Sequence, residues 1–180
     1  MINITTFLSE ADRIVYEKYK NKIPFQVVEF ANEVGLEVFE DKLAENISGK
    51  IEKKLDGKFI CYVNEKDSPT RQVFTIAHEL GHYFRHREFF ETNSTLEEPQ
   101  NPLYNTFQKD RNHYSEDEKT REKEANEFAA ELLMPEVIVR KKWHELNQSL
   151  TRMAKYFNVS EMAMAFRIEN VVKPDPREVA

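Results

Sequence analysis

The stretch Phe74-Thr75-Ile76-Ala77-His78-Glu79-Leu80-Gly81-His82 carries a His-Glu-x-x-His pattern inside an apolar, helix-forming run. Side chains four apart on a helix stand one above the other, so His78 and His82 can grip one metal ion, and Glu79 can activate a water held by that metal. At about 100° and ~1.5 Å per residue, His82 falls at roughly 40° and about 6 Å from His78, and Glu79 at roughly 100°. Val73, Ile76, Ala77, Leu80 and Phe84 fall at about 160–260° and form a separate apolar face. The chemistry implied is metal-assisted hydrolysis of the kind peptidases perform.

A catalytic zinc takes three protein ligands and keeps a fourth position open. The longer spacing that places a third histidine six residues after His82 is absent: Glu88 stands there, and Arg85 occupies the position where that pattern needs glycine. His86 lies about 12 Å along the helix axis from His78, too far to share an ion with it. It reads as a histidine that supports a ligand or the packing, and His113 as a surface loop residue. The better source of a third ligand is the helix predicted from residue 121 to its stop at Pro135. There Glu122, Asn126, Ala129 and Leu133 share a stripe that Ala125, Phe128 and Leu132 extend into the core. Glu124, Glu127 and Glu131 fall opposite and are expected to face water. Glu122 is thus the inward carboxylate, and Asn126, one turn on, can orient a ligand by hydrogen bonding. A Glu122–Asn126 bond on an exposed face is the alternative, with Glu118 and Glu124 as other candidate ligands. The small Ala125 and Ala129 allow this helix to approach another closely.

Residues 71–83 (Arg-Gln-Val-Phe-Thr-Ile-Ala-His-Glu-Leu-Gly-His-Tyr), followed by Glu122-x-x-Ala125-Asn126-x-Phe128-Ala129-Ala130-x-Leu132-Leu133-Met134-Pro135, resemble the ImmA/IrrE family of metallopeptidases. The resemblance runs from about 23 to 168. It implies a gluzincin-like zinc site, with His78, His82 and Glu122 as ligands and Glu79 as general base. It also implies a bacterial or phage protein that cleaves helix-turn-helix repressors or antitoxin-type regulators encoded beside it, in stress-response, mobile-element or toxin–antitoxin settings. Two His and one Glu favour zinc over manganese or iron. A second electrophile normally helps to hold the oxyanion. Tyr83 lies on the core side, leaving Tyr104, His113 and Tyr114 as candidates. In gluzincin-like peptidases an edge strand pairs with the substrate backbone, and 58–63 or 48–54 is the expected strand.

Several elements must position these groups. Residues 9–20 form an amphipathic helix capped by Ser9, and 24–34 a second one with Pro24 in its first turn and Gly35 past its end. Residues 36–40 alternate as a short strand, and 48–54 and 58–63 form a hairpin around Asp56-Gly57. The helix bearing His78 follows from about 70 to 86. Residues 88–116 show no sustained periodicity and form a flexible insertion that can cover the site, anchored by Phe89, Phe90, Leu103, Tyr104 and Phe107. The expected fold class is α+β: a mainly helical, zincin-like domain over 1–135 with a small antiparallel sheet, then a C-terminal helix-turn-helix-like segment over 136–180.

At 180 residues the chain reads as one domain with room for a small appendage, and it is long enough to bury a real core. The net charge of −6 gives no overall bias toward nucleic acid or membrane. Cys61 is the single cysteine, which excludes an internal disulfide and a thiolate metal site. No signal peptide or membrane-length apolar run is read, so a cytoplasmic location is expected. From 150 to 168 the pattern is helix, short turn, helix, with Ser160 as a cap. This supports a competing reading, a non-catalytic zinc-containing regulator that binds DNA or a partner protein. Residues 140–180 hold eight Lys or Arg against five Asp or Glu, a local net of +3. That is mild, and the second helix offers few of the Arg, Lys, Asn or Gln groups that read bases. DNA binding is therefore the weaker partner reading, and a protein substrate the stronger.

Overall fold

The computed structural model describes residues 2–99 and 115–172. Helix α1 (Glu10–Tyr19) starts where the Ser9 hydroxyl accepts from the Asp12 N–H. Helix α2 (Val27–Glu33) is shorter than the sequence predicts: Pro24 lies outside it, after a cis Ile23–Pro24 bond. Strands β1 (Leu36–Asp41), β2 (Ile47–Lys53) and β3 (Phe59–Asn64) lead into α3 (Pro69–Arg85). Ser68 caps α3, with Pro69 in its first turn. A short helix α4 (Phe89–Thr92), strand β4 (Thr95–Pro99) and α5 (Glu116–Leu133) follow. Three helices complete the described chain: α6 (Glu136–Glu145), α7 (Leu150–Phe157) and α8 (Glu161–Val171).

The sheet order is β1-β3-β2-β4. The expected hairpin forms, with Lys53 opposite Phe59 and Gly57 at φ +85° in the turn. The sheet is mixed rather than wholly antiparallel, because β1 pairs parallel with β3, Val38 opposite Cys61. The reason is topological. β2 runs back from β1 without pairing with it, and β3 reverses again into the slot between them, so it points the same way as β1. On the far side β4 adds to β2, Leu96 opposite Ile51. This corrects the reading of 88–116 as an aperiodic insertion. Its first part forms α4 and β4, held to β2 by backbone pairing that needs no hydrophobic alternation. Residues 100–114, with Leu103, Tyr104, Phe107, His113 and Tyr114, lie outside the described residues, as does the covering role assigned to them.

Helix α3 carries ten consecutive buried residues, Phe74 through Tyr83. A single apolar face was expected. The helix is enclosed on all sides because the sheet, α2 and α5 each pack against it. Its polar face is therefore inside the protein as well. The C-terminal helices belong to the same core, to which Met153, Phe157 and Met164 contribute fully buried side chains. Arg167 on α8 forms an ion pair with Glu131 on α5 and donates to the Met134 carbonyl at 2.9 Å. Glu131 is thus buried, not turned to water as its wheel position suggested. The apolar docking of α8 covers that side of α5, and the guanidinium satisfies the carboxylate there.

Candidate metal centre

The two helices that carry the candidate ligands meet where Gly81 faces Ala125. A Cβ on Gly81 would lie 2.8 Å from the Ala125 Cα and 2.9 Å from its carbonyl oxygen, so only glycine admits this approach. One turn before Ala125 stands Glu122, which the close crossing lays over His78 and His82. The Nε2 atoms of the two histidines face each other at 2.9 Å. Glu122 Oε2 is 3.3 Å from His78 Nε2, and its Oε1 is 3.4 Å from His82 Nε2. Among the described residues, these three form the cluster able to hold a metal ion, their ligand atoms all within 4.8 Å of one another.

This donor set fits a metal. Ligands about 2.0–2.1 Å from a tetrahedral zinc are spaced by about 3.3 Å, close to the separations found. Both imidazole rings are fully buried. Burial pushes the His82 imidazole down to about 4; His78 and His86 act the same way, and Glu122 opposes them. The ring is therefore neutral at pH 7 with a lone pair to offer. For Glu122, burial favours the neutral acid, but the paired contacts with His78 and His82 outweigh it and hold the carboxyl well below its ordinary range. Two imidazole nitrogens and an anionic carboxylate converge on one point.

Glu79 is fully buried beside this cluster. Strand β2 forms its roof. A Cβ on Gly49 would collide with the Thr75 methyl group and sit 3.2 Å from Glu79 Oε1, so glycine is what lets the strand lie on the helix here. Just before it, the register between β2 and β4 shifts between Ile47 and Gly49. Ser48, at this irregularity, turns its hydroxyl inward to accept from Arg71 Nε at 3.1 Å. Gly49 and Arg71 played no part in the sequence reading of the site. A glycine in the middle of a strand was the available signal for close backbone approach.

Each ligand ring is supported from behind. His78 Nδ1 lies 3.1 Å from Asn126 Oδ1, and His82 Nδ1 lies 3.0 Å from His86 Nδ1. His86 Nε2 in turn is 2.9 Å from Glu124 Oε2. Glu124 is therefore half-buried against α3 rather than turned to water as expected, and it touches a supporting histidine, not the cluster. The wheel treated α5 as having one inward stripe. The tight crossing at Gly81 lets the end of α3 run beside a second face of α5. Glu118 is engaged elsewhere, accepting the Ser115 N–H at 2.7 Å as part of the cap of α5.

Both strands expected to bind substrate, 48–54 and 58–63, are flanked on each side by another strand, so neither is an edge. Among the described residues the edge on the Glu79 side is β4, whose Glu98 pairs with Gly49. The C-terminal pair α7 and α8 has the expected helix-turn-helix form, with Asn158 in the left-handed conformation between them and Ser160 capping α8. The exposed positions of α8 are Glu161, Met162, Ala165, Glu169 and Asn170, two acidic, two apolar and one amide. Among the described residues no helix is long and apolar enough to cross a membrane.

Comparison with known proteins agrees with this geometry. "Uncharacterized immunity region protein 2" of Bacillus phage phi105 is 30% identical over 135 residues, which is 74% of this chain and 72% of that protein. A solved structure described as a "Mycobacterium tuberculosis transcriptional regulator" superimposes with a TM-score of 0.59 at 18% identity. The match covers 91% of this chain but 47% of that one, so the chain spans about half of its structural neighbour, and the likeness is one of fold. Residues 31–169 match the IrrE N-terminal-like domain, Peptidase_M78. Since that match runs from α2 through α8, the chain belongs to the IrrE N-terminal-like (Peptidase_M78) family of metallopeptidases.

Proposed function

We propose that the chain is a zinc-dependent endopeptidase acting inside the cell, with a helix-turn-helix repressor or antitoxin-type regulator as its substrate. The observation that carries this reading is the convergence of His78, His82 and Glu122 beside the buried carboxylate of Glu79. Zinc bound there would supply a Lewis acid and a water acidified to a pKa of about 7. Glu79 takes a proton from the attacking water and passes it to the leaving amine, the general acid–base role its place in the motif gives it. Burial keeps bulk water from the carboxylate through the step. The substrate backbone lies along β4, the edge strand one position out from the roof over Glu79.

The regulator substrate draws on the family membership and on two names. The phage relative is named for an immunity region, and the structural neighbour for transcriptional regulation. A DNA-binding regulator without peptidase activity is the weaker reading, because the exposed face of α8 shows no Arg, Lys or Gln and a single Asn, Asn170, whose amide donates to the Phe166 carbonyl, where base-reading helices display several such groups. The deciding experiment is a mass-spectrometric search for new protein N-termini in host cells expressing either the wild-type chain or Glu79→Gln. A new terminus within a regulator, present only with the wild type, is expected. Identical termini in both strains would sink the peptidase reading.

A further inference from the structure

We propose that His86 and Glu124 form a one-directional hydrogen-bond relay that fixes the tautomer and aim of His82; the inference rests on the reading of His82 as a metal ligand through Nε2. An imidazole that ligates through Nε2 carries its proton on Nδ1. That nitrogen of His82 meets another imidazole nitrogen, His86 Nδ1, at 3.0 Å. Two ring nitrogens at this distance share a single proton, so His86 Nδ1 must accept. The proton of His86 is then on Nε2, where Glu124 Oε2 stands ready to accept it at 2.9 Å. The far end agrees with the near end. Arg85 binds the other carboxylate oxygen at 2.9 Å and the Glu124 carbonyl at 3.2 Å, and its guanidinium lies 4.5 Å from the Phe7 ring centroid. The opposite tautomer of His86 would set N–H against N–H at one end and lone pair against carboxylate at the other.

The two histidine ligands are therefore supported unequally. His78 rests on a neutral amide, Asn126, at 3.1 Å. His82 rests on a carboxylate through an intervening ring, which makes it the more basic donor and the more firmly aimed one. Glu124 is a third exposed, so it can be altered with little disturbance to the core.

The test measures zinc affinity of the full chain by competition with a chromogenic chelator, and His86 ring tautomers by long-range ¹H–¹⁵N NMR. Glu124→Leu and His86→Ala should each weaken zinc binding by roughly 10- to 100-fold, the range for lost outer partners of a ligand. Glu124→Gln, which keeps an acceptor oxygen, should fall between them and the wild type, and Glu127→Gln on the exposed face of α5 should change nothing. The NMR pattern should place the His86 proton on Nε2 in the wild type. Unchanged affinity in Glu124→Leu, or a His86 proton on Nδ1, would overturn the relay alone. A wild-type chain that takes up no zinc would overturn the relay together with the metal reading. Should His86→Ala fail to fold, Glu124→Leu still decides.

Discussion

Gly81 and Ala125 are in backbone contact: a methyl group on Gly81 would lie 2.8 Å from the Ala125 Cα. The distance between α3 and α5 is thereby set at its minimum, and the reach of Glu122 to the histidines depends on it. In an isolated helix Gly81→Ala would be favourable by about 1 kcal/mol. Here it should instead destabilise by about 2 kcal/mol, because a methyl group forced into a packed contact must push the helices apart. Zinc affinity should fall at least tenfold along with the melting temperature. Calorimetry and chelator competition on the same variant check both. A more stable variant with intact zinc binding would refute the argument.

Glu79 and Glu122 should separate chemistry from metal binding. Glu79→Gln is expected to keep its zinc and its fold while turnover drops by roughly 10²–10⁴. Glu122→Ala should lose the metal, and activity with it. Atomic absorption on the purified variants, run beside a cleavage assay, distinguishes them; a Glu79→Gln enzyme cutting at the wild-type rate would remove Glu79 from the mechanism.

Acid should destabilise the chain once its metal is stripped. His82 is held down to about 4, chiefly by burial, against an ordinary 6.5. Between those values the unfolded chain binds a proton that the folded one refuses, so stability is complete above pH 6.5 and falls toward pH 4, by up to about 1.4 kcal/mol per pH unit. The depressed carboxyl of Glu122 acts with the same sign, its contribution present above pH 4.5 and fading as pH falls further. Urea midpoints from pH 7 to 4 should decline steadily for the wild type and more gently for His82→Ala. Parallel profiles would contradict the assignment.

Strand β4 offers a test of substrate binding that leaves the metal alone. The Lys53 N–H donates to the Ser94 carbonyl at 2.8 Å. By antiparallel alternation the N–H groups of Thr95 and Glu97 then point away from β2. Proline at either position removes an outward donor without breaking the β2 ladder. Thr95→Pro or Glu97→Pro should raise peptide KM severalfold and leave zinc affinity unchanged. An unaltered KM in both would exclude strand addition at this edge.

The local geometry was legible in the sequence because helices are periodic. The spacing of His78, Glu79 and His82, the inward stripe of Glu122 and Asn126, and the caps at Ser9 and Ser160 all follow from residues within a few turns of each other. What was hidden depends on partners distant in the chain. Glu124 and Glu131 looked solvent-facing on a wheel, yet α3 and α8 cover them. The strand Thr95-Leu96-Glu97 has no alternation to read, since β2 recruits it through backbone groups common to every residue. The parallel pairing of β1 with β3 reflects strand order, which local pattern does not encode.

The pairing of Arg167 with Glu131 spans 36 residues of chain. During synthesis, at about 5–20 residues per second, α5 is finished well before Arg167 exists. Until α8 docks, the Glu131 carboxylate stands on an uncovered side of α5, where water solvates it; the helix that buries it also carries the guanidinium that satisfies it. Replacing Arg167 alone, with α8 still docked, is what would leave the carboxylate buried without its partner. α8 thus brings the cover and the counter-charge of Glu131 in one piece, so that flank of α5 is closed and neutralised in a single docking event.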